Sequence, residues 1–344
     1  MVLMFLSIIA TILILGAMIF VHELGHFAAS KYFKIPVKEF AIGMGPKIKS
    51  FKRGETEYSL RAIPIGGFVD IEGIEVGSDS ENGFNTKKPY QRFIVLVAGV
   101  FMNFIMAYVI AVSLFWINGE NIPDERSIVG NVSEISHAYG VLKAGDIIVS
   151  VDGNPVSKWS EMVKQVGKHD VSKPVVLSVK RGEVIENKEI LLTYNKESKK
   201  YIIGVIGKWN SVKYGFGGSL KRGGEAFIDM AFLVFKGFKM VATNEVSVRE
   251  MKGPVGLVGI VMMFIKMGVA PLFYLAAILS VNVGIFNLLP FPGLDGGRII
   301  FIIFEKLGIK VDKKREENMH KFGIIVLLGL MLLITMNDIW TIFN

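Results

Sequence analysis

Residues 2–21, VLMFLSIIATILILGAMIFV, run without a single charge. As an α-helix rising about 1.5 Å per residue, this segment reaches about 30 Å, the hydrocarbon thickness of a bilayer. A backbone in lipid must satisfy its own hydrogen bonds, so a chain with such a segment is drawn toward helices that cross a membrane. No Lys or Arg precedes Lys31, and the run leads directly into His22 and Glu23. It therefore reads as a span and not as a cleaved signal, which would need a basic leader and a small-residue cleavage site.

Three more spans follow by the same reasoning: Phe93 to Ile117, Pro271 to about Leu289, and Phe322 to about Met336 with an apolar tail to Phe343. The apolar stretches Phe227–Val241 and Val255–Ala270 are interrupted by Asp229, Lys236, Lys239 and Lys266. They read as interfacial or half-inserted amphipathic helices within a region 211–270. With 51% hydrophobic and only 20% charged residues, the composition excludes a disordered chain and argues against an ordinary soluble enzyme. The absence of Cys excludes disulfides, thiolate metal sites and thiol nucleophiles.

The net charge of +8 does not point to nucleic acid, because the basic residues collect beside the apolar segments. Eleven Lys and Arg fall in 31–92 and six in 306–321, with none before Lys31 or after Lys321. The positive-inside rule then puts 31–92 and 306–321 in the cytoplasm and both termini outside it, with Asn118 to about Gly224 extracytoplasmic. The expected fold class is a polytopic α-helical membrane protein of about four transmembrane helices. The expected divisions are 1–30 (first helix), 31–92 (membrane-associated loop), 93–117 (second helix), 118–210 (extracytoplasmic domain), 211–270, 271–305 (third helix with a break), 306–321 (cytoplasmic loop) and 322–344 (fourth helix).

Two inserts have their own character. Val37–Ile71 alternates like strands, with several glycines and with Phe40, Phe51 and Phe68 among basic residues, as an amphipathic sheet hugging the interface would. The polar stretch Glu72–Lys88, with Gly77 and Gly83, reads as a cytoplasmic loop. From Ser127 to about Ile206 the β-branched runs Val175–Lys180 and Glu189–Thr193, with turn residues Asp152-Gly153-Asn154-Pro155, predict a small α+β domain.

The chemistry concentrates in His22-Glu23-Leu24-Gly25-His26. On a helix, histidines at i and i+4 project from one face and can bind one Zn²⁺, with Glu23 beside them to act on its water. Three ionisable groups within five residues of an apolar helix are costly unless they have partners or work. A catalytic zinc needs a third protein ligand, which without Cys must be His, Asp or Glu. His137 and His169 fall on the wrong side of the membrane, and His320, among Lys and Glu, reads as a solvated loop residue. Asp295 lies in Asn287-Leu288-Leu289-Pro290-Phe291-Pro292-Gly293-Leu294-Asp295-Gly296-Gly297, where prolines and glycines break an apolar span. Such a break at membrane depth must line protein or a water-filled cavity, and the topology brings Asp295 to the level of His22 and His26. The alternative is that Asp295 only N-caps the helix that follows.

HELGH in a first span and NLLPFPGLDGG in a later one resemble the site-2 proteases, intramembrane zinc metalloproteases, and above all their bacterial subgroup with a PDZ domain. Gly43-Met44-Gly45-Pro46, Ile63-Pro64-Ile65-Gly66-Gly67-Phe68 and Asn337-Asp338 extend the resemblance over nearly the whole chain. It implies zinc held by His22, His26 and Asp295, Glu23 as catalytic acid and base, and Asn287 contacting the substrate backbone or reaction intermediate. Leu142–Ile148 followed by Val151–Val156 resembles a permuted PDZ domain, able to accept a peptide strand or to exclude bulky ectodomains. The resemblance further implies the bacterial cytoplasmic (inner) membrane and single-span membrane substrates, such as anti-sigma factors or remnant signal peptides. It also implies that the β-rich loop pairs with an unwound substrate strand. Two departures stand out: Gly99-Val100 where the family often has Gly-Pro, and room for one PDZ domain where some members have two. A noncatalytic scaffold recruiting partners through the PDZ domain is the rival reading. A zinc or proton transporter would need more intramembrane charge and repeated halves.

Overall fold

The computed structural model describes residues 1–75, 80–195, 199–247, 252–309 and 311–343. Gly77, in the expected cytoplasmic loop, lies outside them. The chain forms two compact units, one of residues 1–117 with 215–344, the other of 118–214.

In the first unit, α1 (Val2–Tyr32) contains the uncharged run and carries the HELGH segment without interruption. Two of its buried hydroxyls, on Ser7 and Thr11, donate to the carbonyls of Leu3 and Ser7 at 2.7 Å each, which removes their polarity from an apolar setting. The hairpin of β1 (Val37–Arg53) and β2 (Thr56–Ile71) follows. It is not a flat ribbon. Both strands bend, β1 at Gly43 and Gly45 and β2 at Gly66, all at positive φ, so that Phe40 lies between Tyr58 and Val69. At Gly43 a Cβ would come within 2.6 Å of the Ile63 carbonyl, so only glycine permits this fold-over. Helix α2 (Pro89–Asn118) returns as the second apolar helix.

The second unit is a small α+β domain. It contains β3 (Glu120–Pro123), β4 (Val129–Val132), β5 (Ile147–Val151), β6 (Asn154–Pro155), α3 (Trp159–Val166), β7 (Val175–Arg181) and β8 (Val184–Ile190), then β9 (Thr193–Asn195), β10 (Lys200–Ile202), β11 (Val205–Gly207) and β12 (Trp209–Val212). The central sheet has the order β6-β5-β7-β8. Alternate residues of β7, namely Val175, Leu177 and Val179, point into a core with Ile148, Val151, Met162 and Ile190. Of the turn residues expected at Asp152-Gly153-Asn154-Pro155, Asp152 and Gly153 take positive φ and form a two-residue hairpin turn, whereas Asn154 and Pro155 are the strand β6. Asp146 is almost fully buried and receives two bonds of 2.7 Å from Arg181. A groove of about 540 Å³ opens between α3 and the Lys200–Val205 segment.

The chain then re-enters the first unit with α4 (Phe216–Ala242), α5 (Pro254–Met267), α6 (Val269–Leu288), α7 (Asp295–Lys306) and α8 (Lys313–Phe343). Among the described residues four helices are long and apolar enough to cross a membrane: α1, α2, α6 and α8. The chain is therefore a polytopic helical membrane protein with a β-rich insert. Helix α4 buries Ser219, Gly223, Ala226 and Met230, spaced four, three and four apart; Ala226 and Met230 share a cluster with Ala107 and Ala111 of α2 and Ala277 of α6, and Gly223 abuts Val112 of α2. Asp338 of α8 accepts the N–H of Gly256 at 2.8 Å and so caps the first turn of α5. Residues 313–321, expected as loop, are the first turns of α8.

Candidate metal centre

The site is assembled from α1, α2 and the break between α6 and α7. On α1 the i, i+4 spacing turns both imidazoles to one side, with ring centroids 4.7 Å apart. Both histidines are buried. What admits them is a close crossing with α2. A Cβ on Gly25 would lie 2.2 Å from the Ala98 carbonyl, and one on Gly99 would lie 2.4 Å from His26 Nε2. Gly99 thus makes room for the two imidazoles, and the departure from Gly-Pro noted in the sequence lies at the next residue, Val100.

Asp295 arrives from 273 residues away. Its Oδ2 lies 3.1 Å from His22 Nε2 and 3.4 Å from His26 Nε2, and the two Nε2 atoms are 3.1 Å apart. Residues 289–294 leave the α6 axis, and the backbone of Gly296 and Gly297 packs directly on the carbonyls of Leu288, Leu289 and Phe291, where a Cβ would come within 2.3 Å. Asp295 is the first residue of α7, but its N-cap is Leu294 and no side chain caps the helix end. The capping alternative is thereby set aside: the carboxylate faces the histidines.

The remaining atoms are held in turn. His26 Nδ1 donates to the Val95 carbonyl at 2.8 Å. The backbone N–H of Val69, on β2, donates to Glu23 Oε2 at 3.1 Å, so the bent hairpin reaches the carboxylate between the two histidines. Asn287 occupies the last turn of α6, where its Nδ2 donates to the Val283 carbonyl at 3.0 Å. The structure brings His22, His26 and Asp295 together with Glu23 beside them, and it gives Asn287 a bond to its own helix instead of to that cluster.

His320 requires a correction. Expected in a solvated loop, it is buried at the start of α8, packs on Phe301 and accepts the Gly293 N–H through Nδ1. Its neighbours in sequence are charged, but a helix presents them to other sides. His137 and His169 belong to the other unit, where they pair with Thr193 and Asp152. The sequence marked Gly99 only as part of Gly99-Val100 and did not single out Val69 or Asn103, whose amide lies 3.3 Å from His22 Nδ1. An amide within an uncharged span was the available signal for the last.

Among the described residues, His22, His26 and Asp295 are the one group of three or more metal-capable side chains, with ligand atoms all within 4.8 Å of one another. Three convergent donors from neutral imidazole and carboxylate suit zinc and leave a fourth position open. Peptidase family M50 matches residues 10–330 of the chain. A Fusobacterium nucleatum protein is 41% identical over 339 residues, covering 98% of this chain and 100% of that one. The regulator of sigma-W protease RasP of Bacillus subtilis is 30% identical over 420 residues, covering 98% and 99% respectively. Of the solved structures, the PDZ domain of an SdrC-like protein from Listeria innocua is 28% identical over 24% of this chain and 92% of that one, with a TM-score of 0.23. A family match over most of its length, together with relatives aligned nearly end to end, makes this chain a member of peptidase family M50.

Proposed function

We propose that the protein is a zinc endopeptidase that hydrolyses peptide bonds within the transmembrane segments of single-span membrane proteins. The observation that carries this reading is the convergence of His22 Nε2, His26 Nε2 and Asp295 Oδ2 next to Glu23, among apolar membrane helices. His22, His26 and Asp295 would hold the metal. When bound there, zinc supplies Lewis-acid polarisation and a water acidic enough to lose a proton near neutral pH.

The rest of the chemistry falls to the chain itself. Glu23 takes the proton of the attacking water as the C–O bond forms and then returns it to the leaving amide nitrogen, on which the peptide C–N bond breaks. Val69 fixes one carboxylate oxygen of Glu23, leaving Oε1 for proton transfer. Asn287 is positioned one helical turn past Val283 at the mouth of the α6 break and would contact the substrate backbone. A helical peptide bond is closed to attack, so the substrate must unwind, and pairing with the β1–β2 hairpin would offset its lost hydrogen bonds. A noncatalytic scaffold has no use for a carboxylate held between two histidines.

The Lys and Arg distribution supports a bacterial cytoplasmic (inner) membrane location with both termini and the 118–214 unit outside, the site opening toward the cytoplasm. Anti-sigma factors and remnant signal peptides fit as substrates; the name of the Bacillus subtilis relative favours the former. The test is mass-spectrometric mapping of fragments from a single-span reporter incubated with the purified protein in detergent. Cuts inside the reporter's span that vanish on zinc chelation are expected; cuts only in its soluble ends, or cutting unaffected by chelation, would refute the reading.

A further inference from the structure

We infer that Asn103 is a positioning residue of the metal centre: its side-chain carbonyl accepts the Nδ1 proton of His22 and fixes the tautomer that leaves Nε2 for the metal. The inference rests on His22, His26 and Asp295 being the ligands.

Val95, Gly99 and Asn103 follow one another at four-residue spacing along one stripe of α2, the stripe that faces the HELGH segment of α1. Each meets the histidine pair differently. The Val95 carbonyl receives His26 Nδ1, Gly99 makes room for the rings, and Asn103 meets His22 Nδ1. A carbonyl can only accept, so His26 carries a proton on Nδ1, and as a neutral imidazole it presents a bare Nε2. His22 needs the same arrangement, because its Nε2 is the atom that converges with His26 and Asp295.

As placed, the Asn103 amide turns Nδ2 toward His22 Nδ1 and leaves Oδ1 buried without a partner. That orientation would need a bare Nδ1 and hence a proton on Nε2, which would block the ligand atom. Amide oxygen and nitrogen exchange places on a half-turn of the terminal torsion. The turned amide offers Oδ1 to Nδ1–H, and the atom that lacked a partner becomes the acceptor the metal site requires. Asn103 is fully buried, and its backbone carbonyl accepts the Ser280 hydroxyl of α6 at 2.9 Å, which ties the main chain that carries the amide to α6. Groups behind a histidine ligand in this way tune metal affinity by roughly 10- to 100-fold.

The experiment measures zinc affinity of the full-length protein by competition with a chromophoric chelator, alongside thermal unfolding of the metal-free protein. Asn103→Leu, without an acceptor, is expected to weaken zinc binding by about 10- to 100-fold. Asn103→Asp, which keeps one, retains wild-type affinity, and both keep the metal-free melting temperature. Asn103→Ala, which adds no bulk, gives the same readout should the Leu variant not fold. Wild-type zinc affinity in Asn103→Leu or Ala, or equal weakening in Asn103→Asp, overturns the inference. His22→Ala separates the two levels: loss of zinc there upholds the ligand assignment whatever Asn103 does, and retained zinc overturns that assignment and this inference together.

Discussion

His320 Nδ1 accepts the backbone N–H of Gly293 at 3.1 Å, so the first turns of α8 hold the loop that delivers Asp295 two residues later. Gly323 completes the contact, since a Cβ there would lie 1.9 Å from the Pro292 carbonyl. The carboxylate proposed as the third metal ligand is thus positioned by a helix that contributes none of the three proposed ligands. His320→Leu keeps much of the volume but strands the Gly293 donor, and should cost about 1–3 kcal/mol of stability. Unfolding of the metal-free protein in detergent reads the loss, and His320→Asn should recover part of it. An unchanged unfolding transition for His320→Leu would remove the clamp from the account.

Gly99→Ala should damage the site with the smallest possible change. The added methyl would meet His26 Nε2 at 2.4 Å and His22 Cε1 at 2.9 Å, while the helix backbone on either side leaves it no retreat. Zinc content is expected to fall well below one per chain, with reporter cleavage reduced by more than about 100-fold, because misplacing a ligand ring disturbs both. Gly237→Ala, where a Cβ meets nothing within 4 Å, serves as the control in the same helical bundle. Full zinc occupancy in Gly99→Ala would show that the rings can shift and that the close crossing is not required.

Much of this molecule was legible in its sequence for local reasons. Lipid demands long uncharged helices, so the spans announced themselves by length; two histidines at i, i+4 share a face wherever a helix forms; and prolines with glycines break one. The Asp152-Gly153 turn was readable because its geometry depends on two residues alone. What depended on distant partners was not readable. The bend that sets Phe40 between Tyr58 and Val69 arises from glycines that could equally have made simple turns. The burial of His320 depends on a loop packed on it, and the neighbouring charges of α8 disguised it. Asn287 illustrates the opposite limit: the resemblance assigns it a role, whereas its observed bond is to its own helix.

The 118–214 unit should respond to pH at both ends of the range. Two hydrogen bonds from Arg181 hold the Asp146 carboxyl below its ordinary value of 3.8. The unfolded state then binds the proton more readily, so this contribution is full above pH 3.8 and is lost as pH falls through the depressed folded value. His169 behaves in the other sense. Its bond to the Lys173 carbonyl, with Asp152 on the other ring nitrogen, raises it above 6.5; its contribution is present below pH 6.5 and is lost as pH rises through the folded value. Hydrogen exchange in β5 and β7, corrected for intrinsic rates, should show easier opening above pH 6.5 in the wild type, and His169→Gln should flatten that dependence. Equal slopes in the two proteins would contradict the assignment.

The central claim is that zinc on His22, His26 and Asp295 and proton transfer by Glu23 together cut a membrane span. Its most direct test is one preparation of Glu23→Gln, measured for zinc content and for cleavage of the single-span reporter beside the wild type. Gln keeps the size of Glu23 and can take no proton, so zinc should remain at one per chain while cleavage falls at least about 100-fold, the usual scale of a general acid–base contribution. Undiminished cleavage by Glu23→Gln with zinc bound would contradict the account, since the reaction would then proceed without the carboxylate on which it depends.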